Sequence, residues 1–181
     1  MATCKVTAGI DITCDDKRRL GGLNSRFWIG DPTEIDSFTF DGDGYVSEIN
    51  FSTYGGTFTM ESPDNSCSAG YEVVSAEGGN KFFSHTAAIK VFATTPADDA
   101  VIEEMLVANS FLIVETQNQE FLIYGANNGL KTTEGSQNSG AEDASDVTDT
   151  LTMAGGEKLK PYRFFDTDFA TTLAKLETYE L

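Results

Sequence analysis

Two short runs, Phe111-Leu112-Ile113-Val114 and Phe121-Leu122-Ile123-Tyr124, constrain this chain more than anything else in it. Each is apolar at every position, so neither can present one face to a core and the other to water. A strand of that kind must be covered on both sides. The residues between them, with Gln117-Asn118-Gln119 at the centre, are polar and turn-forming. The pattern predicts two central paired strands, with Glu115 and Glu120 bracketing their exposed end. The covering layers must come from the rest of the chain or from a neighbouring one.

The remaining signal is mostly β. Ser25 to Ile29 reads as a short strand, and Asp36 to Phe40 alternates polar residues with Phe. Asp41-Gly42-Asp43-Gly44 is a tight turn, because Asp-Gly supplies positive φ at little cost. On the returning strand Tyr45, Ile49 and Phe51 share one face and Glu48 and Asn50 the other. After Tyr54-Gly55-Gly56, Phe58 and Met60 face together in a strand from Thr57 to Glu61. Tyr71–Ala76 and Lys81–Val91 form a hairpin around Glu77-Gly78-Gly79-Asn80. Asn127-Asn128-Gly129 is a further turn. Thr150–Met153 resumes β structure, Ala154-Gly155-Gly156 ends it, and Pro161–Phe165 is a last extended piece.

Two helices interrupt this. Near 95–110, Thr95 suits the N-cap, Pro96 the first turn and Asp98 the third member of a capping box. Val101, Ile102, Met105 and Leu106 then make a stripe expected to face the core. Near 167–179, Phe169, Leu173 and Leu176 follow Phe165 at helical spacing. At 181 residues the chain fits one domain, with an N-terminal arm over 1–24 and two long polar loops, 62–70 and 134–148. The fold class expected is mainly β with flanking helices (α+β), an antiparallel sandwich or barrel.

Several chemistries find no support. The chain holds one His and three Cys, and Cys4, Cys14, Cys67 and His85 show no metal-binding spacing. Cys4 and Cys14 could face each other across paired strands, as a disulfide or as buried thiols, and thiols suit a reducing compartment better. His85 shares strand parity with Phe83, Ala87, Ile89 and Val91, which marks a core or interface histidine. Asp41 and Asp43 resemble half of a calcium loop, but Thr39 and Asn50 stand where its end carboxylates would be. No G-x-S-x-G, P-loop or G-x-G-x-x-G occurs. Catalytic residues, metal ligands and cofactors are therefore expected to be none, and an enzyme is not expected. No run approaches the length of a membrane span, and Met1-Ala2-Thr3-Cys4-Lys5 lacks the start of a secretory signal.

Charge is the more informative feature. The net charge is −17, which argues against gripping nucleic acid by its phosphates. Between Arg26 and Lys81 lie ten acidic residues and no basic one, and between Lys90 and Lys131 six acidic and none basic. Solubility accounts for this, and so does a surface of one sign that repels something negative.

Two stretches carry a resemblance. The opening runs from Cys4-Lys5-Val6-Thr7-Ala8-Gly9-Ile10 through Cys14 to Gly21-Gly22-Leu23. The second combines Gly129-Leu130, Ser136–Gly140, Thr150-Leu151-Thr152-Met153-Ala154-Gly155-Gly156-Glu157 and Pro161-Tyr162. Together, over about half of the chain, they resemble the tail tube (major tail) proteins of tailed bacteriophages, of the type found in phages of Bacteroidetes. The resemblance implies a virion protein, made in the host cytoplasm, that self-assembles into rings, usually of six. The rings stack as a hollow tail tube, contact other tail proteins and pass DNA as unbound cargo, with no membrane involved. An acidic lumen would let DNA slide, where a basic one would hold it. The lumen-facing candidates are Glu48, Asn50, Thr57 and Thr59. The loop residues expected to order on assembly include Asp64, Asn65, Glu134, Glu142 and Asp143. A different virion or surface β-module, a decoration or a receptor- or glycan-binding domain, is the alternative.

Overall fold

The structure, a computed structural model, describes residues 21–63, 66–76, 78–92, 95–138 and 148–181. Cys4, Cys14, Asp64, Asn65, Glu77, Glu142 and Asp143 lie outside them. Eleven strands follow in chain order: β1 (Leu23–Gly30), β2 (Ile35–Phe40), β3 (Val46–Phe51), β4 (Phe58–Glu61), β5 (Ser68–Ser75), β6 (Lys81–Val91), β7 (Asn109–Thr116), β8 (Phe121–Tyr124), β9 (Leu130–Asn138), β10 (Thr148–Glu157) and β11 (Tyr162–Phe164). The helices are α1 (Pro96–Val107), between β6 and β7, and α2 (Phe169–Glu177), after β11.

The strands join into one sheet that behaves as two leaves. The larger runs β4–β1–β7–β8–β11–β3–β2, and the smaller β9–β10–β6–β5. The hinge is β7, whose first residues pair with β9 at Asn109↔Lys131 and Ser110↔Leu130. Pairing is antiparallel except where Phe164 of β11 meets Val46 of β3 in parallel. The sheet is therefore mixed, not purely antiparallel, and it is open: among the described residues β2, β4 and β5 each have one partner strand.

Two cores result, one on each side of the larger leaf. Phe27, Ile29, Leu112, Val114 and Tyr124 meet Ala87, Ile89, Val91, Leu151 and Met153 of the smaller leaf. On the opposite face Trp28, Phe111, Ile113, Phe121, Ile123 and Phe164 pack under α2 through Leu176, Leu173 and Phe169. The central pair β7–β8 is thus buried on both faces, as its unbroken apolar sequence requires, and this chain supplies both covers. Phe121 stacks on Phe169 with ring centroids 5.4 Å apart. The helix is fixed at its start by Asp168, which accepts the Thr171 N–H at 2.8 Å.

Several expectations need correction. Glu115 is not at an exposed end. It is buried, and its carboxylate accepts the Asn24 amide from the neighbouring β1. Asn24 and Leu23 accordingly belong to a strand and not to the arm over 1–24. The polar stretch from Glu134 to Asn138 is strand, not loop, with Glu134 opposite Thr152 of β10. Ser68, Ala69 and Gly70 open β5, so the loop expected over 62–70 stops before Ser68.

Ala154-Gly155-Gly156 does not end a strand but lies inside β10. The β8–β9 turn crosses there so closely that a Cβ on Gly155 would fall 2.1 Å from the Gly129 carbonyl oxygen, which is why the strand carries glycine. In β3 the register slips between Thr39↔Glu48 and Phe40↔Val46. Ser47 is the extra residue of a bulge. Val46 therefore joins Ile49 in the core, while Tyr45 lies half-buried beside Phe165.

Candidate assembly surfaces

The wing β11–β3–β2 carries the first of the proposed positions. Phe38, Ile49, Tyr162 and Phe164 point to the core beneath α2. Alternation therefore sends Ser37, Thr39, Glu48, Asn50 and Arg163 to the opposite face. The core between the leaves draws on β1, β4, β7 and β8 of the larger leaf, so the smaller leaf does not cover the wing. Asn50 lies half-buried on this face. Its amide donates to Ser37 Oγ at 3.2 Å and to Thr39 Oγ1 at 3.1 Å. Glu48, opposite Thr39, is exposed. Arg163 reaches Glu120 at 3.2 Å, so the face is acidic at Glu48 but not of one sign throughout. At the wing tip the Asp41 carboxylate accepts the N–H groups of Asp43 and Tyr45 at 2.9 and 2.8 Å. That is the work of a turn-capping aspartate.

Thr57 and Thr59 do not join this face. Thr57 is fully buried, with its N–H donating to the Tyr179 carbonyl at 2.8 Å. It cannot line a channel. Thr59 lies opposite Trp28, whose ring is in the core under α2, and its hydroxyl donates to Glu180. The same carboxylate takes the Trp28 indole N–H at 3.1 Å and an Arg26 N–H at 2.8 Å. These bonds, first from Thr59 and then from Trp28, hold the Glu180 carboxyl below its ordinary pKa. The four candidates therefore separate, Glu48 and Asn50 on an open face and Thr57 and Thr59 under the C-terminal segment. Strand parity alone could not show this, because Glu180, 121 residues downstream of Thr59, bonds to it.

The second surface is the β5–β6 hairpin. Val73 and Phe83 pair on one side and Val74 and Phe82 on the other. Tyr71, Val73 and Phe82 are exposed. At its base His85 is a core residue, as its parity suggests. Nδ1 accepts the Gly125 N–H at 3.2 Å, so Nε2 carries the proton and donates to the Leu159 carbonyl at 3.0 Å. Burial keeps its pKa low and pushes that of neighbouring Tyr124 up to about 12. Both ring nitrogens are committed to holding the turn and the β10–β11 link in place. Glu157, whose structural role the sequence did not signal, is buried and accepts the N–H groups of Asn127 and Asn128 at 3.0 and 2.8 Å.

The third surface is α1. Its capping box forms as the sequence predicts, with Thr95 N–H donating to Asp98 at 2.8 Å and Asp98 N–H to Thr95 Oγ1 at 3.3 Å. The apolar stripe does not behave as expected. Only Met105 is buried, while Val101, Leu106 and Val107 are exposed. The helix lies on the flank of the sandwich, where one side finds cover and the rest does not.

Among the described residues no group of three or more His, Cys, Asp and Glu is placed to hold a metal, and no helix is long and apolar enough to cross a membrane. No family model, curated protein or solved structure matches this chain.

Proposed function

We propose that the chain is a structural subunit that assembles with copies of itself into a ring, and that stacked rings form a tail tube through which DNA passes. The observation that carries this reading is the set of open edges. β2, β4 and β5 each have a single partner among the described residues. Each also carries a large exposed apolar side chain, Phe40, Phe58 and Tyr71 with Val73 respectively. Monomeric proteins usually shield such edges, since unpaired backbone beside apolar side chains invites another strand. A chain of net charge −17 whose edges are unpaired among the described residues is suited to strand pairing between copies.

In this reading the wing face with Glu48 and Asn50 is turned to the channel, and the resemblance to tail tube proteins supplies the cargo. Repulsion of DNA acts within about a Debye length, ~8 Å at physiological salt, so it matters only in a narrow bore. Electron microscopy of the purified chain is expected to show rings or tubes. Glu48→Lys should leave those particles intact and retain DNA within them. Monodisperse monomers at high concentration would contradict the proposal and favour a decoration or receptor-binding module.

A further inference from the structure

Of the eight Lys and Arg residues in the stretch 21–181, Arg26 is held by Glu177 and Glu180 and Lys175 by Asp166. Three others, Lys158, Lys160 and Arg163, stand close together in the β10–β11 link and β11. Lys160 and Arg163 border a cleft of about 520 Å³ at the wing tip. Its walls include Tyr45, Phe83, Leu159 and Tyr162, and Asp43 is the one carboxylate among its lining residues. The Lys160 ammonium stands 5.7 Å from the centre of the Tyr71 ring, which in turn meets Phe83 edge-on. Arg163 reaches Glu120 at 3.2 Å with about half of its side chain still exposed. A cationic, aromatic hollow of this kind suits an acidic partner with apolar tips.

The chain itself carries such a surface. α1 turns Met105 to the sandwich, and helical spacing puts Ala100, Glu103 and Val107 on the opposite side, flanked by Asp99 and Glu104. All five are exposed, Val107 to 88%. The last turn of the helix holds no basic residue, so the negative end of the helix dipole adds to the charge of Glu103 and Glu104. A cation set against this end relieves it. The chain's own α1 is held away from the cleft. Met105 is buried, its carbonyl accepts the Thr132 hydroxyl at 2.8 Å, and the helix lines a groove beside β4 through Val101 and Met105. The larger leaf begins with β4 and ends with β2, and the turn that joins β2 to β3 walls the cleft through Asp43, Gly44 and Tyr45. Helix and cleft therefore flank opposite ends of one leaf.

We propose that α1 of a second copy docks in this cleft, with Ala100 and Val107 against Tyr45, Phe83 and Tyr162 and with Glu103 and Glu104 facing Lys160 and Arg163. Charge selects the pairing. Copies of net charge −17 repel one another, and the contact that opposes this most sets the basic stretch of one copy against the acid-rich helix of the next. Ion pairs formed inside the cleft are screened by salt much less than the long-range repulsion between copies. Donor and acceptor sit at opposite ends of one leaf, so the contact is head-to-tail and repeats into a ring or filament. It runs in the same sense as strand pairing between β4 of one copy and β2 of the next. The inference rests on the self-assembly reading and names a contact that orients it.

The test uses the full chain and two readouts. Glu103→Lys with Glu104→Lys should raise the concentration for half-assembly by about tenfold in sedimentation. This variant lowers the net charge, so general repulsion alone predicts the opposite, tighter association. Lys160→Glu, which leaves the Arg163–Glu120 bond in place, should also weaken assembly. Combining the two sets should bring the concentration back below that of the helix variant, and unchanged circular dichroism checks the fold. In parallel, Val107→Cys and Leu159→Cys are made separately in chains that carry Cys4→Ser and Cys14→Ser, then mixed in equal amounts and oxidised with diamide. Disulfide heterodimers joining position 107 of one chain to position 159 of the other should exceed either homodimer on denaturing gels. Assembly that ignores the helix reversal, a combined variant weaker than both of its parents, or a mixture dominated by homodimers would overturn this contact and leave the assembly reading standing. A response to Lys160→Glu alone would give the cleft to another partner and overturn the contact too. A wild-type chain that sediments as a monomer throughout would overturn both readings.

Discussion

Glu115 shows how a single residue departs from its sequence context. Its position after four apolar residues marks the end of a run, and ends of runs are usually wet. The structure buries it beside Asn24 because β1 extends past the end of the apolar run. Burial raises its pKa, with Asn24 and Arg26 acting in the opposite direction. A raised folded pKa means that the ionised form is disfavoured in the fold. Stability from this group is full below its unfolded value and is lost as pH rises through the folded one. Glu115→Gln is therefore expected to stabilise the chain against urea at pH 7 and to lose that advantage below pH ~4.5. His85 works the other way. Its lowered pKa gives stability that is present above about pH 6.5 and is lost as pH falls through the folded value. Urea midpoints should fall more steeply from pH 7 to 5 in the wild type than in His85→Gln. Leu112 and Ile123 are each 0% exposed, on opposite faces of the central pair. Truncation of either to Ala should cost about 2–5 kcal/mol. Losses below about 1 kcal/mol at both would contradict the two-sided burial of β7 and β8.

Elements were legible in the sequence where local chemistry decides them. The Thr95–Asp98 box, the Asp41 turn and the apolar runs of β7 and β8 are set by their own residues and form where expected. Thr95→Ala should accordingly cost about 0.5–2 kcal/mol, readable as a shift in the thermal midpoint. What escaped the sequence depends on distant partners. The second half of β9 is polar throughout, because pairing with β10 asks only for its backbone. Gly155 in β10 answers to the crossing turn at Gly129. The stripe on α1 looks like core, yet only one side of the helix meets the sandwich. For α2 the amphipathic spacing was readable but its target was not, since Trp28 and Ile113 come from strands far away in sequence. Leu176 is fully buried there. Leu176→Ala should destabilise by about 2–5 kcal/mol and expose enough apolar surface to bind the dye ANS.

At the scale of the whole molecule, the described residues complete the inside of the sheet and leave β2, β4 and β5 with one partner strand each. Both faces of the central strands are covered by its own residues, so folding does not need a neighbour. Among the described residues β2, β4 and β5 have one partner strand each, and Val101, Leu106, Val73 and Phe82 are exposed, so the proposed association does not need refolding. The proposed assembly requires that division. In the proposed assembly, strong like charge keeps the copies apart until specific contacts outweigh repulsion, so association should sharpen as salt is raised. The most direct test is cryo-electron microscopy of the purified full chain at concentrations up to those at which it associates. The account predicts closed rings, stacked or single, in which β2, β4 or β5 pairs with a neighbouring copy and Glu48 and Asn50 face the central opening. Monomers at every concentration, or rings that turn Glu48 and Asn50 outward and line the opening with Lys and Arg, would contradict it.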